Sequence, residues 1–289
     1  MNENKDDFLK MKITINGELV AQQVIEQELQ NQKRQNPHLN ENQLNVAAQQ
    51  SIIDWTVIRQ EAKKTISTIP AALIDNEYAK LLEQHGGEEQ FFKNFELTAK
   101  DVPKIKADIE QNIKISQFLQ KLAGDAEEPS EAEIAYYYKK HEQDFTIPEQ
   151  IHAAHVEMKP NPANPAVAYN EMKDIRQKLL QGGDFAKIAN DFSSCQDEGG
   201  DLGWFAPGHM VEGFDAIVFS MNIGEISPIF LTEFGYHIAT VYEKKPAQLK
   251  PLDEVREEIL DRLKTEKGDE LIGKWVDEQK EKADITIEE

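Results

Sequence analysis

The residues of this chain best suited to chemistry gather between positions 150 and 240. His155 lies in the alternating stretch Gln150–Met158, and His237 lies in a second β-type stretch running from Tyr236 to Glu243. Cys195 is the single cysteine, and Met210 and Phe214 stand four residues apart. Imidazoles change charge near neutral pH, so small environmental changes retune them. A cysteine becomes reactive only as the thiolate. Met is a suitable wall for an apolar pocket, being polarizable and adaptable. Each residue also has an ordinary reading: satisfied core histidines, a small buried thiol, and a Met–Phe pair that is plain core. Residue types alone leave these alternatives open.

Some chemistries are excluded. His152 and His155 are three apart on a strand, so they face opposite sides and do not form a metal pair. One cysteine rules out a disulfide framework and any multi-cysteine metal site. The run Gly199-Gly200-Asp201-Leu202-Gly203 lacks the Lys-Ser/Thr of a phosphate loop.

The elements that must position these residues follow from periodicity and breakers. Residues 12–16 alternate and are β-branched, and Asn16-Gly17 is a turn signal. Helical patterns then cover about 20–35, 42–65, 70–84, 87–95 and 101–122, so this part is nearly all helix. Trp55 and Trp275 read as core residues between N- and C-terminal helices. Gly124 to Pro129 is an acidic, breaker-rich linker, and Ser130 with Glu133 has the form of a capping box. From 149 the texture becomes mixed: a strand to Met158, helices at 167–180, 184–192 and 213–221, and strands entering at 199–205, 225–232 and 236–243. That order predicts an α+β fold, a small antiparallel sheet surrounded by helices. A long amphipathic helix is expected over 252–282, and the alternating end, Asp284 to Glu288, is expected to pair with residues 12–16. The domains are therefore read as 1–147, 148–245 and 246–289, with the last returning to the first.

Composition narrows the class. The chain has 289 residues, 39% of them hydrophobic, and a formal net charge of −21. Spread-out acidity repels nucleic acid and anionic membranes, so neither is an expected partner. No apolar run approaches the ~18 residues of a membrane helix, so no membrane insertion is expected. Residues 1–12 lack the apolar stretch of a secretory signal. This fits a cytoplasmic protein, which the initial Met favours, or an exported one whose signal was removed before residue 1.

Seven stretches in fixed order resemble the parvulin (PpiC, rotamase) type of peptidyl-prolyl cis-trans isomerase: AAHV (153–156), GGDFAKIA (182–189), DFSSC (191–195), GGDLGWF (199–205), GHMVEGF (208–214), GEISP (224–228) and TEFGYHI (232–238). The rest is similar to the SurA and PrsA foldases, in which a parvulin domain is inserted into a mostly α-helical chaperone-like domain. TINGELV (14–20), EAKK (61–64), GGEEQFF (86–92) and YYYKKHEQDF (136–145) carry that likeness. NifM-type nitrogen-fixation accessory proteins are similar in length and order.

The resemblance implies roles. His155 and His237 would sit together at the floor of the site, hydrogen-bonded. Cys195 matches a position held by Cys or Asp, near the substrate carbonyl. Thr232 matches a hydroxyl that supports the second histidine. Leu202, Met210 and Phe214 match the proline-ring pocket, and Phe234 stands at the rim where many relatives carry a small residue. Phospho-directed relatives carry a basic cluster after the first strand. Here Lys159 to Pro165 has one Lys and no Arg, so no phosphate preference is expected.

The implied reaction is rotation about an X–Pro bond. Amide resonance sets a barrier of ~18–20 kcal/mol. Catalysis must favour the twisted amide, whose carbonyl is less anionic and whose nitrogen is more basic. An apolar, dry pocket does so, and no metal, cofactor or covalent step is required. Two functions are expected to compete: an isomerase acting on X–Pro segments of unfolded or partly folded clients, and a chaperone or maturation factor that keeps the fold for binding alone.

Overall fold

The computed structural model describes residues 8, 11–161, 163–194 and 197–288. They form two compact units: residues 1–130 with 260–289, and residues 131–259.

The first unit opens with strands β1 (Lys12–Ile15) and β2 (Glu18–Leu19). Asn16 and Gly17 between them both have positive φ, 51° and 78°, the twist that a two-residue hairpin turn needs. Helices α1 (Gln22–Gln35), α2 (Glu41–Thr65), α3 (Ala71–Gln84), α4 (Glu88–Asn94) and α5 (Val102–Gly124) follow. Helix α2 starts in a reciprocal cap: Asn40 Oδ1 accepts from the Gln43 N–H, and Gln43 Oε1 accepts from the Asn40 N–H, both at 3.0 Å. Two orphan donors are thereby satisfied.

The second unit starts with α6 (Glu131–Lys140) and β3 (Thr146–Ile147). It continues through β4 (Gln150–Met158), α7 (Pro165–Leu180), α8 (Phe185–Phe192), β5 (Asp201–Phe205), α9 (Glu212–Ser220), β6 (Phe230–Leu231), β7 (Tyr236–Lys245) and β8 (Gln248–Leu249). Helix α10 (Leu252–Lys282) runs from this unit into the first, and β9 (Ile285–Glu288) ends the chain. The residues 131–147 and 246–259, read from the sequence with the helical part, thus lie in the second unit. There β3 pairs with β8 and the Tyr138 hydroxyl donates to the Lys250 carbonyl at 2.6 Å.

The expected return of the C-terminus is present. Strand β9 pairs antiparallel with β1, Lys12 opposite Glu288 and Ile15 opposite Ile285. Ile13 and Ile15 are fully buried in the core with Ile25, Leu29 and Ile52. Trp275 packs edge-on against Phe118, ring centroids 5.0 Å apart. Trp55 corrects the sequence reading. It is 53% exposed and lines a groove with Val24 and Ile115 rather than filling the core. The buried stripe of α2 runs through Ala48, Ile52, Ile58 and Ala62 instead.

The second unit holds a four-stranded antiparallel sheet in the order β5-β4-β7-β6. One face, with Ala154, Val156 and Ile238, packs on Met172, Ile175, Leu179, Phe185 and Ile188 of α7 and α8. The other, with Ile151, Ala153, Ala239 and Val241, packs on Phe214 and Val218 of α9. The fold class expected from the sequence is the one observed. The strand expected over 225–232 is shorter, with only Phe230–Leu231 and an isolated Ile226–Thr240 bridge. Pro228 has no N–H for a ladder. Ser227 substitutes: its N–H donates to the Ala239 carbonyl at 2.9 Å, and its Oγ accepts from the Ala239 N–H at 2.8 Å.

Among the described residues no helix is long and apolar enough to cross a membrane.

Candidate active site

Strand alternation and register put the two histidines together. His155 is central in β4, His237 is second in β7, and Glu157 is directly opposite His237. Residues 155, 157 and 237 therefore share the sheet face that looks toward α9. His155 Nδ1 lies 3.3 Å from His237 Nδ1, with near-parallel rings at 15°. Phe214 meets both imidazoles edge-on, centroids 5.6 Å from each. Phe230 stacks on His237 at 5.4 Å and lies 5.5 Å from Phe214.

The far nitrogen of His237, Nε2, is 2.7 Å from Thr232 Oγ1, which also accepts from the Phe234 N–H at 3.2 Å. With both rings neutral, one Nδ1 donates to the other. His155 Nε2 is a buried atom with no partner among the described residues.

Both rings are buried, His155 7% and His237 3% exposed. Desolvation lowers the pKa of His155. Desolvation, then the neighbouring His155, lowers that of His237 to about 4. Both imidazoles are neutral at neutral pH, so the site is a weakly polar floor beneath aromatic walls.

Leu202 and Met210 are half-buried against the cluster that contains Phe214. Phe234 gives its backbone N–H to Thr232 while its side chain is 53% exposed. The structure thus brings together His155, His237, Thr232 and Phe214, with Leu202 and Met210 beside them and Phe234 outward. Cys195 lies outside the described residues. The segment leading to it is tied to β4: the Ser194 N–H donates to the Glu157 carbonyl at 2.7 Å, and Ser193 Oγ accepts from the Glu157 N–H at 3.0 Å. His152 bonds Asp201 Oδ1 at 2.7 Å, apart from the pair.

Two residues escaped sequence reasoning. Phe230 stands in β6 directly opposite His237. Glu157 is two after His155, so strand alternation puts it on the same face.

Gly200 is what lets β5 close on this floor. Its φ is +73°, and a Cβ there would stand 2.1 Å from the His155 carbonyl oxygen. Any side chain would push β5 off β4.

Comparison with known proteins identifies the domain type. The rotamase family, described as the PPIC-type PPIASE domain, matches residues 155–243. The foldase protein PrsA of Caldanaerobacter subterraneus subsp. tengcongensis is 32% identical over 231 residues, 79% of this chain and 65% of that protein. The chain thus spans just under two thirds of that relative. The putative peptidyl-prolyl cis-trans isomerase NifM of Azotobacter vinelandii is 26% identical over 215 residues, 72% of this chain and 73% of that one. Among solved structures, one of the SurA-like chaperone pair PEB4 and Cj1289 of Campylobacter jejuni aligns with a TM-score of 0.51 at 22% identity, over 94% of this chain and 98% of its own. That likeness is one of fold. Cj1289 is a periplasmic protein, and the comparisons give the cytoplasmic expectation no support. Residues 155–243 match the PPIC-type rotamase domain, and the chain is similar over most of its length to a PrsA foldase and, in fold, to a SurA-like chaperone.

Proposed function

We propose that the protein is a parvulin-type peptidyl-prolyl isomerase that assists folding by turning X–Pro bonds in unfolded or partly folded protein clients. The observation that carries this reading is the neutral His155–His237 pair set against Phe214 and Phe230. A planar amide is stabilised by charge separation between carbonyl and nitrogen. Dry aromatic walls and uncharged imidazoles withhold solvation from that separation, and so favour the twisted form. Phe214, Met210 and Leu202 receive the pyrrolidine ring, while Phe234 meets the chain at the rim. Thr232 positions His237, and the family pattern assigns Cys195, outside the described residues, a role near the substrate carbonyl. Lys159 is the one basic side chain of the loop after β4, and it stands 3.9 Å from Glu157. Substrates therefore need no phosphate before the proline.

A protease-coupled assay on a proline-containing peptide tests the reading. The wild-type chain accelerates isomerisation and Met210→Ala loses most of the effect. Wild-type and variant rates that both equal the uncatalysed rate would overturn it.

One observation favours a second reading, a holder that binds clients without relevant isomerisation. The groove beside the half-exposed Trp55 has a volume of about 290 Å³ and apolar walls from Val24, Ile52 and Ile115. Suppression of client aggregation that is lost in Trp55→Ala and unchanged in Met210→Ala supports the holder.

A further inference from the structure

Nothing in the isomerase chemistry uses Glu157. A carboxylate beside two buried imidazoles adds polarity where a dry floor is wanted, and burying it has a cost unless it is paired. The residue is 9% exposed. Lys159 Nζ, 3.9 Å from its Oε1, is beyond hydrogen-bond range. Yet one nitrogen from each imidazole and one Glu157 oxygen all lie within 4.8 Å of one another.

We propose that His155, His237 and Glu157 form a binding site for a divalent transition cation of the zinc class, with a fourth position left for water or an exogenous ligand. Two imidazoles and a carboxylate are the donor set such cations take, at ~2.0–2.2 Å in tetrahedral geometry. Two nitrogens bound that way stand roughly 3.3 Å apart, and the two Nδ1 atoms are already 3.3 Å apart. Binding requires the rings to turn toward the cation, not the strands to move. The outer contact is also in place, because Thr232 Oγ1 holds Nε2 of His237 at 2.7 Å. A hydrogen bond on the far nitrogen is what fixes a ligating imidazole.

The protons balance without loss. With its one proton on Nε2, each neutral imidazole offers Nδ1 to the cation, and Thr232 Oγ1 accepts from His237 Nε2. Glu157 binds as the carboxylate. The cation takes the place of the His155–His237 hydrogen bond, so on the isomerase reading an occupied site is a silenced one. The binding test stands apart from that reading.

Titration of the full chain with Co²⁺, followed by visible absorption, and with Zn²⁺, followed calorimetrically, tests the site. One cation per chain is expected, with the intense bands of tetrahedral Co²⁺, reversed by a chelator. Glu157→Gln, isosteric with the native residue, is expected to weaken binding by about tenfold or more, and Thr232→Val by about tenfold through the outer contact. His152→Gln, whose imidazole bonds Asp201 instead, is expected to leave it unchanged. Affinity unaltered in both Glu157→Gln and Thr232→Val, or only octahedral Co²⁺ spectra, would overturn the proposal and assign the cation to the acidic surface. Isomerase rates with and without Zn²⁺ are read separately, so an inactive enzyme that still binds Co²⁺ tetrahedrally counts against the isomerase reading alone.

Discussion

His155 and His237 face each other through their Nδ1 atoms at 3.3 Å, on neighbouring strands, with Thr232 closing the far side of His237 at 2.7 Å. The chain of contacts runs from the Phe234 backbone through a hydroxyl and two imidazoles to His155 Nε2, which has no partner among the described residues. It fixes both rings in orientation. Four consequences can be measured.

The first concerns pH. Burial holds His237 at about 4 and lowers His155, whereas the unfolded chain protonates its histidines near 6.5. A lowered folded pKa gives stability that is fully present above about 6.5 and is lost as pH falls toward the folded value. His237 alone contributes up to roughly 3 kcal/mol of this loss between pH 6.5 and 4. Urea unfolding at stepped pH checks it. The His237 ring resonances should titrate near 4 in the folded protein. A midpoint near 6.5 contradicts the buried neutral pair.

Thr232→Val keeps shape and removes the hydroxyl. It loses the bonds to His237 Nε2 and the Phe234 N–H, at a cost of about 1–2 kcal/mol of stability. The larger effect falls on turnover, because His237 loses its orientation. We expect kcat/KM for peptide isomerisation to fall about tenfold, mostly in kcat. Thr232→Ser restores the hydroxyl and most of the rate.

Two glycines separate close packing from backbone preference. Gly200→Ala places a Cβ against the His155 carbonyl at positive φ, while Gly203, φ +64°, has open space around it. Gly203→Ala should cost about 1 kcal/mol, and Gly200→Ala several-fold more, with loss of isomerase activity. Thermal melts of the two variants make the comparison.

Phe214 is core and pocket at once. It packs with Phe205, Val218 and Val241 and touches both imidazoles. Phe214→Ala should destabilise by about 3–5 kcal/mol. Phe214→Leu is milder on stability and still loses the edge-on ring contacts, so its activity falls more than its melting temperature does.

Most of the fold was legible because local signals agreed with the long-range result. Asn16-Gly17 marks the hairpin turn, and alternation in residues 12–16 and 284–288 marks two strands that pair. The histidines, Thr232 and the Met210–Phe214 pair were legible from motif order. Register was not. Nothing local says that Phe230 and Glu157 both stand opposite His237, since that comes from which residues of β4, β6 and β7 pair. The strand expected over 225–232 failed at Pro228, where Ser227 takes over the ladder bonds. Trp55 misled because a large aromatic on an amphipathic helix reads as core, whereas α2 buries a neighbouring stripe and leaves the indole on a groove wall.

Exchange NMR on an unphosphorylated X–Pro peptide measures the central claim most directly. With catalytic amounts of the full chain, the cis and trans resonances should show exchange cross-peaks that are absent from peptide alone. They should be strongly reduced with His237→Ala and with Phe214→Leu. Cross-peaks of undiminished intensity in both variants, or none with the wild-type chain, would contradict the account.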